Sequence, residues 1–181
     1  MKMSGSHTLP APRQEVWEKL NDPAVLQRCI PGCESLERVG EDKLAAVVNV
    51  KIGPMNTKFN GEVELKDLNP PESYRIEGSG SGGQAGSASG GANVRLTENG
   101  GETELSYDVD ARVSGKIAQL GNRLIDATAR SMAEKFFANF ANEVEQPGAA
   151  PVHTSAVSVP SWVWIALAVV IALLFLFLAF G

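Results

Sequence analysis

Few residues in this 181-residue chain could do chemistry. There are two histidines, His7 near the start and His153 far downstream. No triad or metal cluster can be assembled from the sequence neighbours of either. Cys29 and Cys33 form a C-x3-C pair around Ile30, Pro31 and Gly32. Two thiols with no further Cys or His ligands do not make a zinc site. Two small buried residues at a helix end is the plainer reading, with redox sensitivity left open. The run GSGSGGQAGSASGGA, residues 78–92, holds a faint echo of a dinucleotide-binding pattern at Gly80, Gly82 and Ala85. It lacks the strand–turn–helix context and the phosphate-binding lysine that would give the pattern meaning. A flexible hairpin is expected there, with a mobile lid as the alternative. Tyr74 and Tyr107 could polarise a carbonyl, and Lys135 could stand at the rim of a pocket.

The elements that would position these groups follow from periodicity. Met3 to Leu9 reads as a short edge strand. Pro12 suits a helix start, with Val16, Trp17 and Leu20 on one face. Asp22-Pro23 is a cap followed by proline at the first helical position, opening a second short helix that ends near Cys29. The period then changes to two. Leu44, Ala46, Val48, Val50 and Ile52 form one alternating set, with Asn49 and Lys51 opposite. So do Phe59, Gly61, Val63 and Leu65; Tyr74, Ile76 and Gly78; Ala92, Val94 and Leu96; and Leu105, Tyr107, Val109, Ala111 and Val113. Repeated alternation of this kind predicts an antiparallel sheet with one wet and one covered face. Turn residues separate the runs at 40–42, 53–56, 69–71 and 99–101. A long amphipathic helix is expected over 115–145. Ile117, Leu120, Leu124, Ile125, Met132 and Phe136 form its stripe, and Phe137 and Phe140 widen it sideways. The fold class is therefore α+β, an antiparallel sheet curved around a long C-terminal helix.

The inward alternation positions carry no Asp, Glu, His, Cys or Lys, and acid–base or nucleophilic catalysis needs such a group. A non-enzyme is expected. Several inward positions are small: Ala46, Gly61, Gly78, Ala92 and Ala111, with Gly121 and Thr128 on the helix. Small residues facing one another leave either a cavity or a very close helix–sheet approach. A cavity there would be apolar. Its expected lining is Val48, Val50, Phe59, Gly61, Val63, Tyr74, Ile76, Val94, Leu105, Tyr107 and Val109 from the sheet. The helix would add Leu120, Leu124, Thr128, Met132 and Phe136.

Every charged side chain lies before Gln146, so the net charge of −5 belongs to the first part of the chain. An acidic domain without a basic stripe argues against a nucleic-acid partner. The start, MKMSGSHTLPAP, has no apolar run of the signal-peptide kind, so a cytoplasmic domain is expected. Residues 147–161, PGAAPVHTSAVSVPS, read as a flexible linker. Residues 162–180, WVWIALAVVIALLFLFLAF, carry no charge and match the roughly 20 apolar residues of a membrane-spanning helix. The expected organisation is a domain over 1–146, a linker over 147–161 and a C-terminal transmembrane helix over 162–181.

The sequence resembles the carbon monoxide dehydrogenase G-subunit (CoxG) family of the START-like (SRPBCC) superfamily of helix-grip folds. The resemblance covers about 1–145. It rests on LPAPRQEVWEKLNDPAVLQRCIPGCESLE, VKIGPMNTKFNGEVEL, the glycine-rich run with NVRL, and KIAQLGNRLIDATARSMAEKFFANF. It implies a seven-stranded sheet gripping the helix around an elongated hydrophobic cavity. It further implies an accessory protein without molybdenum, flavin or iron–sulfur centre. Such a protein would bind a respiratory quinone, menaquinone or ubiquinone, and dock a soluble molybdenum CO dehydrogenase or related xanthine-oxidase-type hydroxylase at the cytoplasmic face of the membrane. The alternatives are a recruitment or assembly adaptor with no ligand and, less favoured, an enzyme acting on a lipophilic substrate. Ligand identity, docking surface and oligomeric state are not written in the sequence.

Overall fold

The computed structural model describes residues 1–145. Strand β1 (Lys2–Leu9) leads into two short helices, α1 (Arg13–Leu20) and α2 (Pro23–Cys29). Six strands follow: β2 (Cys33–Arg38), β3 (Lys43–Ile52), β4 (Met55–Asn69), β5 (Ser73–Ser81), β6 (Ser87–Asn99) and β7 (Glu102–Ser114). A 3₁₀ turn at Lys116–Leu120 precedes the long helix α3 (Asn122–Glu145). The strands form one seven-stranded sheet in the order β1-β7-β6-β5-β4-β3-β2. Every neighbouring pair is antiparallel. All pairs but β1·β7 are consecutive hairpins, so β1 is an edge strand as its sequence predicts.

Local chemistry accounts for the element ends. Asp22 caps α2 by accepting from the Ala24 amide at 2.8 Å, with Pro23 at the first helical position. Gly100 and Gly101, with φ of 63° and 92°, make the two-residue β6–β7 hairpin. Two successive positive-φ residues match the twist of the strands they join.

Three sequence expectations change. First, the helix expected over 115–145 is interrupted. Gly121, at φ 87°, closes the 3₁₀ turn, and α3 begins at Asn122 with a length of about 36 Å. Second, most of the glycine-rich segment is strand rather than loop. β5 runs to Ser81 and β6 resumes at Ser87, which leaves only residues 82–86 to connect them. Ala85 in that connection is buried against Ile52 and Ile117. Third, the fold class is corrected at its end. Among the described residues no helix is long and apolar enough to cross a membrane. α3 has the length, but charged residues along its exposed side exclude that role. The linker and transmembrane segment expected over 147–181 lie outside the described residues.

Two solid cores pack the space between sheet and helix. The larger joins α1 and α2 to the C-terminal half of α3, through Val16, Trp17, Leu20, Cys29, Phe140 and Val144 against Leu65, Tyr74, Val94, Leu96 and Leu105. Thr103, buried beneath it, donates its hydroxyl to the Ala11 carbonyl at 2.7 Å. The smaller core gathers Ile52, Ala85 and Ile117, with Val50, Met55, Phe59, Val113, Leu120 and Leu124 around them.

Candidate functional site

Along β4 and β7 the inward residues pass from one core to the other, and the stretch between is not filled. On β4, Leu65 belongs to the larger core and Met55 to the smaller, with Gly61 and Val63 between them. On α3, Phe140 and Leu124 mark the two ends, with Met132, Ala133 and Phe136 between. The middle layer borders a cavity of about 520 Å³ that opens to the outside. That is within the usual range for a small-molecule site. Of the 24 residues around it, only Tyr74 and Tyr107 carry a side-chain oxygen or nitrogen.

The predicted lining separates by position along this axis. Val48, Phe59, Gly61, Val63, Tyr74, Ile76, Val94, Leu105, Tyr107 and Val109 of the sheet are on the cavity wall, as are Met132 and Phe136 of α3. Val50, Leu120, Leu124 and Thr128 are not. Val50, Leu120 and Leu124 share the inward face but lie further along it, against the smaller core. The Thr128 hydroxyl donates to the Leu124 carbonyl of its own helix at 2.9 Å. Thr128 and Val50 instead border a shallower outer groove with Pro31, Gly32, Lys51, Met132 and Lys135. Pro31 and Met132 belong to both walls and so stand between groove and cavity. Lys135 is at the rim of the groove.

Alternation does not reveal the wall that comes from α2 and its surroundings. Leu20, Leu26, Ile30, Pro31 and Leu36 also line the cavity. Small inward residues have two different causes. Ala46, Gly61 and Ala92 open onto the cavity. Gly78 and Gly90, register partners on β5 and β6, answer to backbone crowding instead. A Cβ on Gly78 would lie 2.8 Å from the Glu62 carbonyl oxygen, and one on Gly90 would lie 2.2 Å from that of Asp110. Neither approach is open to a side chain.

Two titratable groups point inward: His7, on a strand whose faces the alternation does not assign, and Cys29, whose burial at a helix end the sequence leads one to expect. His7 stacks on Phe137 of α3 at a centroid distance of 3.9 Å and lies parallel to Tyr107 at 6.1 Å. Burial lowers its pKa, partly opposed by Glu134. Cys29 is fully buried in the larger core, and burial pushes its thiol up to about 11. Tyr74 is 6 % exposed and meets Trp17 edge-to-face at 5.3 Å. Burial raises its phenol above the ordinary range, so it remains a hydroxyl donor. Among the described residues no group of three or more His, Cys, Asp or Glu side chains could hold a metal ion.

A curved antiparallel sheet, a C-terminal helix across it and an apolar cavity between them define a START-like helix-grip protein. The solved structures agree. A START superfamily protein from Mycobacterium smegmatis superposes with a TM-score of 0.62 at 14% identity, over 80% of this chain and 97% of its own. The ZhuI aromatase/cyclase from Streptomyces sp. R1128 gives 0.59 at 16% identity, over 80% and 93%. At such identities the likeness is of fold alone. A conserved protein from Geobacillus kaustophilus is much nearer, with 35% identity and a TM-score of 0.76 over 80% of this chain and 95% of its own. No curated protein matches the sequence. The chain belongs to the carbon monoxide dehydrogenase G-subunit (CoxG) family, whose model matches residues 5–145.

Proposed function

We propose that this protein is an accessory carrier that holds a respiratory quinone, menaquinone or ubiquinone, in its cavity. It presents the quinone to a molybdenum CO dehydrogenase or a related xanthine-oxidase-type hydroxylase. The observation that carries the reading is the cavity itself. A space of about 520 Å³ walled almost wholly by aliphatic and aromatic side chains is costly to leave wetted and suits a lipophilic guest. The family name supports the choice of partner. The proposed location is the cytoplasmic face of the membrane, where a quinone is available. Transfer from bilayer to cavity exchanges one apolar surrounding for another. It is therefore close to neutral, as a carrier requires, since apolar burial contributes about 25 cal/mol per Å² only relative to water.

Neither tyrosine is paired with a general base on the cavity wall, and no carboxylate, thiol or amine reaches it. In this reading the protein acts without a catalytic centre of its own. The placement of His7 beside Tyr107 favours, as the second reading, an enzyme acting on a lipophilic carbonyl compound. Mass spectrometry of organic extracts of the full chain, purified from its native host, separates the possibilities. A stoichiometric quinone supports the carrier. A different lipophile that the protein converts supports the enzyme. An empty extract, with added quinone failing to raise the melting temperature, leaves a recruitment adaptor.

A further inference from the structure

Tyr74 is in an environment that a hydroxyl does not occupy without cause. It projects from β5 into the apolar middle layer at 6 % exposure, at the end of the cavity closed by the larger core. Trp17 fixes the ring from the edge. Among the described residues nothing donates to or accepts from its oxygen. Arg13 Nε and Asp126 Oδ1 are also without partners, but protein seals both of them in. Tyr74 is not among these sealed groups and is on the cavity wall, so the cavity is where its hydroxyl can find a partner. Its partner must come from what fills the cavity, and left without one a buried hydroxyl costs about 1–3 kcal/mol. Exchanging it for a hydrogen would remove that cost without changing the packing of the ring.

We propose that Tyr74 is the polar anchor of the cavity, donating its phenolic hydrogen to a carbonyl oxygen of a lipophilic ligand that enters carbonyl end first. The inference rests on the carrier reading above and adds to it an orientation and a selectivity. Tyr74, with Leu20, Val94 and Leu105, forms the closed end. Pro31 and Met132 form the end that borders the outer groove. A ligand anchored at Tyr74 therefore buries its carbonyl ring and directs its hydrocarbon chain past Pro31 and Met132. A quinone held this way has its redox-active ring away from solvent, so it is protected in transit and exchanges electrons only after release or reorientation. Ligands are selected by a terminal acceptor oxygen. Hydrocarbons of the same shape bind without the anchor. Carboxylates are disfavoured, because no cation reaches this end of the cavity.

The test uses the full chain in detergent micelles, with binding to protein-free micelles subtracted. The probes are 2-methyl-1,4-naphthoquinone and 2-methylnaphthalene, which share a ring system and differ in the two carbonyl oxygens. Tyr74→Phe is expected to weaken the quinone about five- to tenfold, the loss of one neutral hydrogen bond, and to leave the hydrocarbon unchanged. The infrared carbonyl stretch of the bound quinone is expected to move to higher wavenumber in the variant. Equal weakening of both probes would assign Tyr74 a packing role and overturn the proposal. So would unchanged quinone binding, or a loss seen with Tyr107→Phe and not with Tyr74→Phe. If neither probe binds the native protein, the carrier reading itself fails.

Discussion

The ring of Tyr107 lies across Gly5: a Cβ on Gly5 would be 2.6 Å from the Tyr107 hydroxyl oxygen. The two are register partners on β7 and β1. Tyr107 is held from the other side by Phe137 at 5.4 Å, and Phe137 in turn stacks on His7. The absence of a side chain at position 5 is what lets an aromatic cross the edge of the sheet and reach α3. Gly5→Ala should therefore force Tyr107 off its position and cost about 1–3 kcal/mol, as overpacking typically does. Shortening the clashing partner with Tyr107→Leu should make the same substitution nearly neutral. Urea unfolding of the four members of this double-mutant cycle measures the coupling. Strictly additive losses would show that the two residues do not conflict.

The cavity makes a second expectation quantitative. Ala92 is on its wall in mid-sheet, between Ile76 on β5 and Val109 on β7. Ala92→Leu would place a branched side chain in the open space. Folding stability should hold or rise, by up to about 1–2 kcal/mol, because the new methyl groups are buried without displacing others. Capacity for 2-methyl-1,4-naphthoquinone should fall at least tenfold. A variant that is destabilised by several kcal/mol would mean that the middle layer is already filled.

Particular residues show how far the sequence carries the fold. Alternation from Leu44 to Val113 is unbroken enough to place β3 to β7 on the correct face. β2 escapes because it is short and irregular: its register with β3 shifts between Cys33 and Ser35, so period two is lost where it would have to be read. The interruption of the long helix is signalled only by Gly121, a residue that a helix tolerates at modest cost. The inward face of the site is legible in alternation. Depth along that face is not, which is why Val50, Leu120 and Leu124 belong to the smaller core although they share parity or stripe with true wall residues. His7 has the parity of Met3 and Leu9, so assigning faces to the edge strand would have placed it inward.

The thiols are expected to be poor nucleophiles. Burial raises both, Cys29 to about 11, with a backbone hydrogen bond at Ser35 partly opposing the rise at Cys33. Thiolate, the reactive form, is therefore scarce at neutral pH. Iodoacetamide at pH 7.5 should leave Cys29 unmodified in the folded protein, label the half-buried Cys33 slowly, and label both at once in urea. Rapid modification of Cys29 under native conditions would contradict its burial.

Arg28 on α2 and Glu143 on α3 form a two-point ion pair, with both N···O distances 2.8 Å. The Lys19 ammonium is held by the Glu143 carbonyl. The guanidinium holds the Glu143 carboxylate below its usual range. Stability from the pair is then fully present above that range and is lost as pH falls through the lowered pKa. Arg28 is more than half exposed, so solvent screening limits the contribution to about 0.5–1 kcal/mol. Arg28→Ala should lose that amount at pH 7 in 20 mM salt, progressively less as pH falls below 4.5, and nearly nothing in 1 M salt. A loss independent of both conditions would point to the packing of the Arg28 stem instead.

His7 governs the higher-pH part of the same acid decline. Its pKa is lowered because the ring is packed against Phe137 and Tyr107, and desolvation penalises the charged form. Glu134 is the charged group that pulls the other way. Above the unfolded value of 6.5 the ring is neutral in both states and contributes no pH dependence. As pH falls below 6.5 the unfolded chain takes up the proton first, so stability declines until the folded-state pKa is passed. The urea midpoint should therefore drop between pH 7 and pH 5, and His7→Phe, which keeps an aromatic ring on Phe137, should flatten that drop. The same substitution should leave quinone binding at pH 7.5 intact, because His7 is beside the cavity wall and not part of it. If His7→Phe retains the full decline, a carboxylate rather than this imidazole governs the acid side. If it abolishes quinone binding at pH 7.5, His7 reaches the ligand and the wall extends beyond Tyr107 to the edge strand.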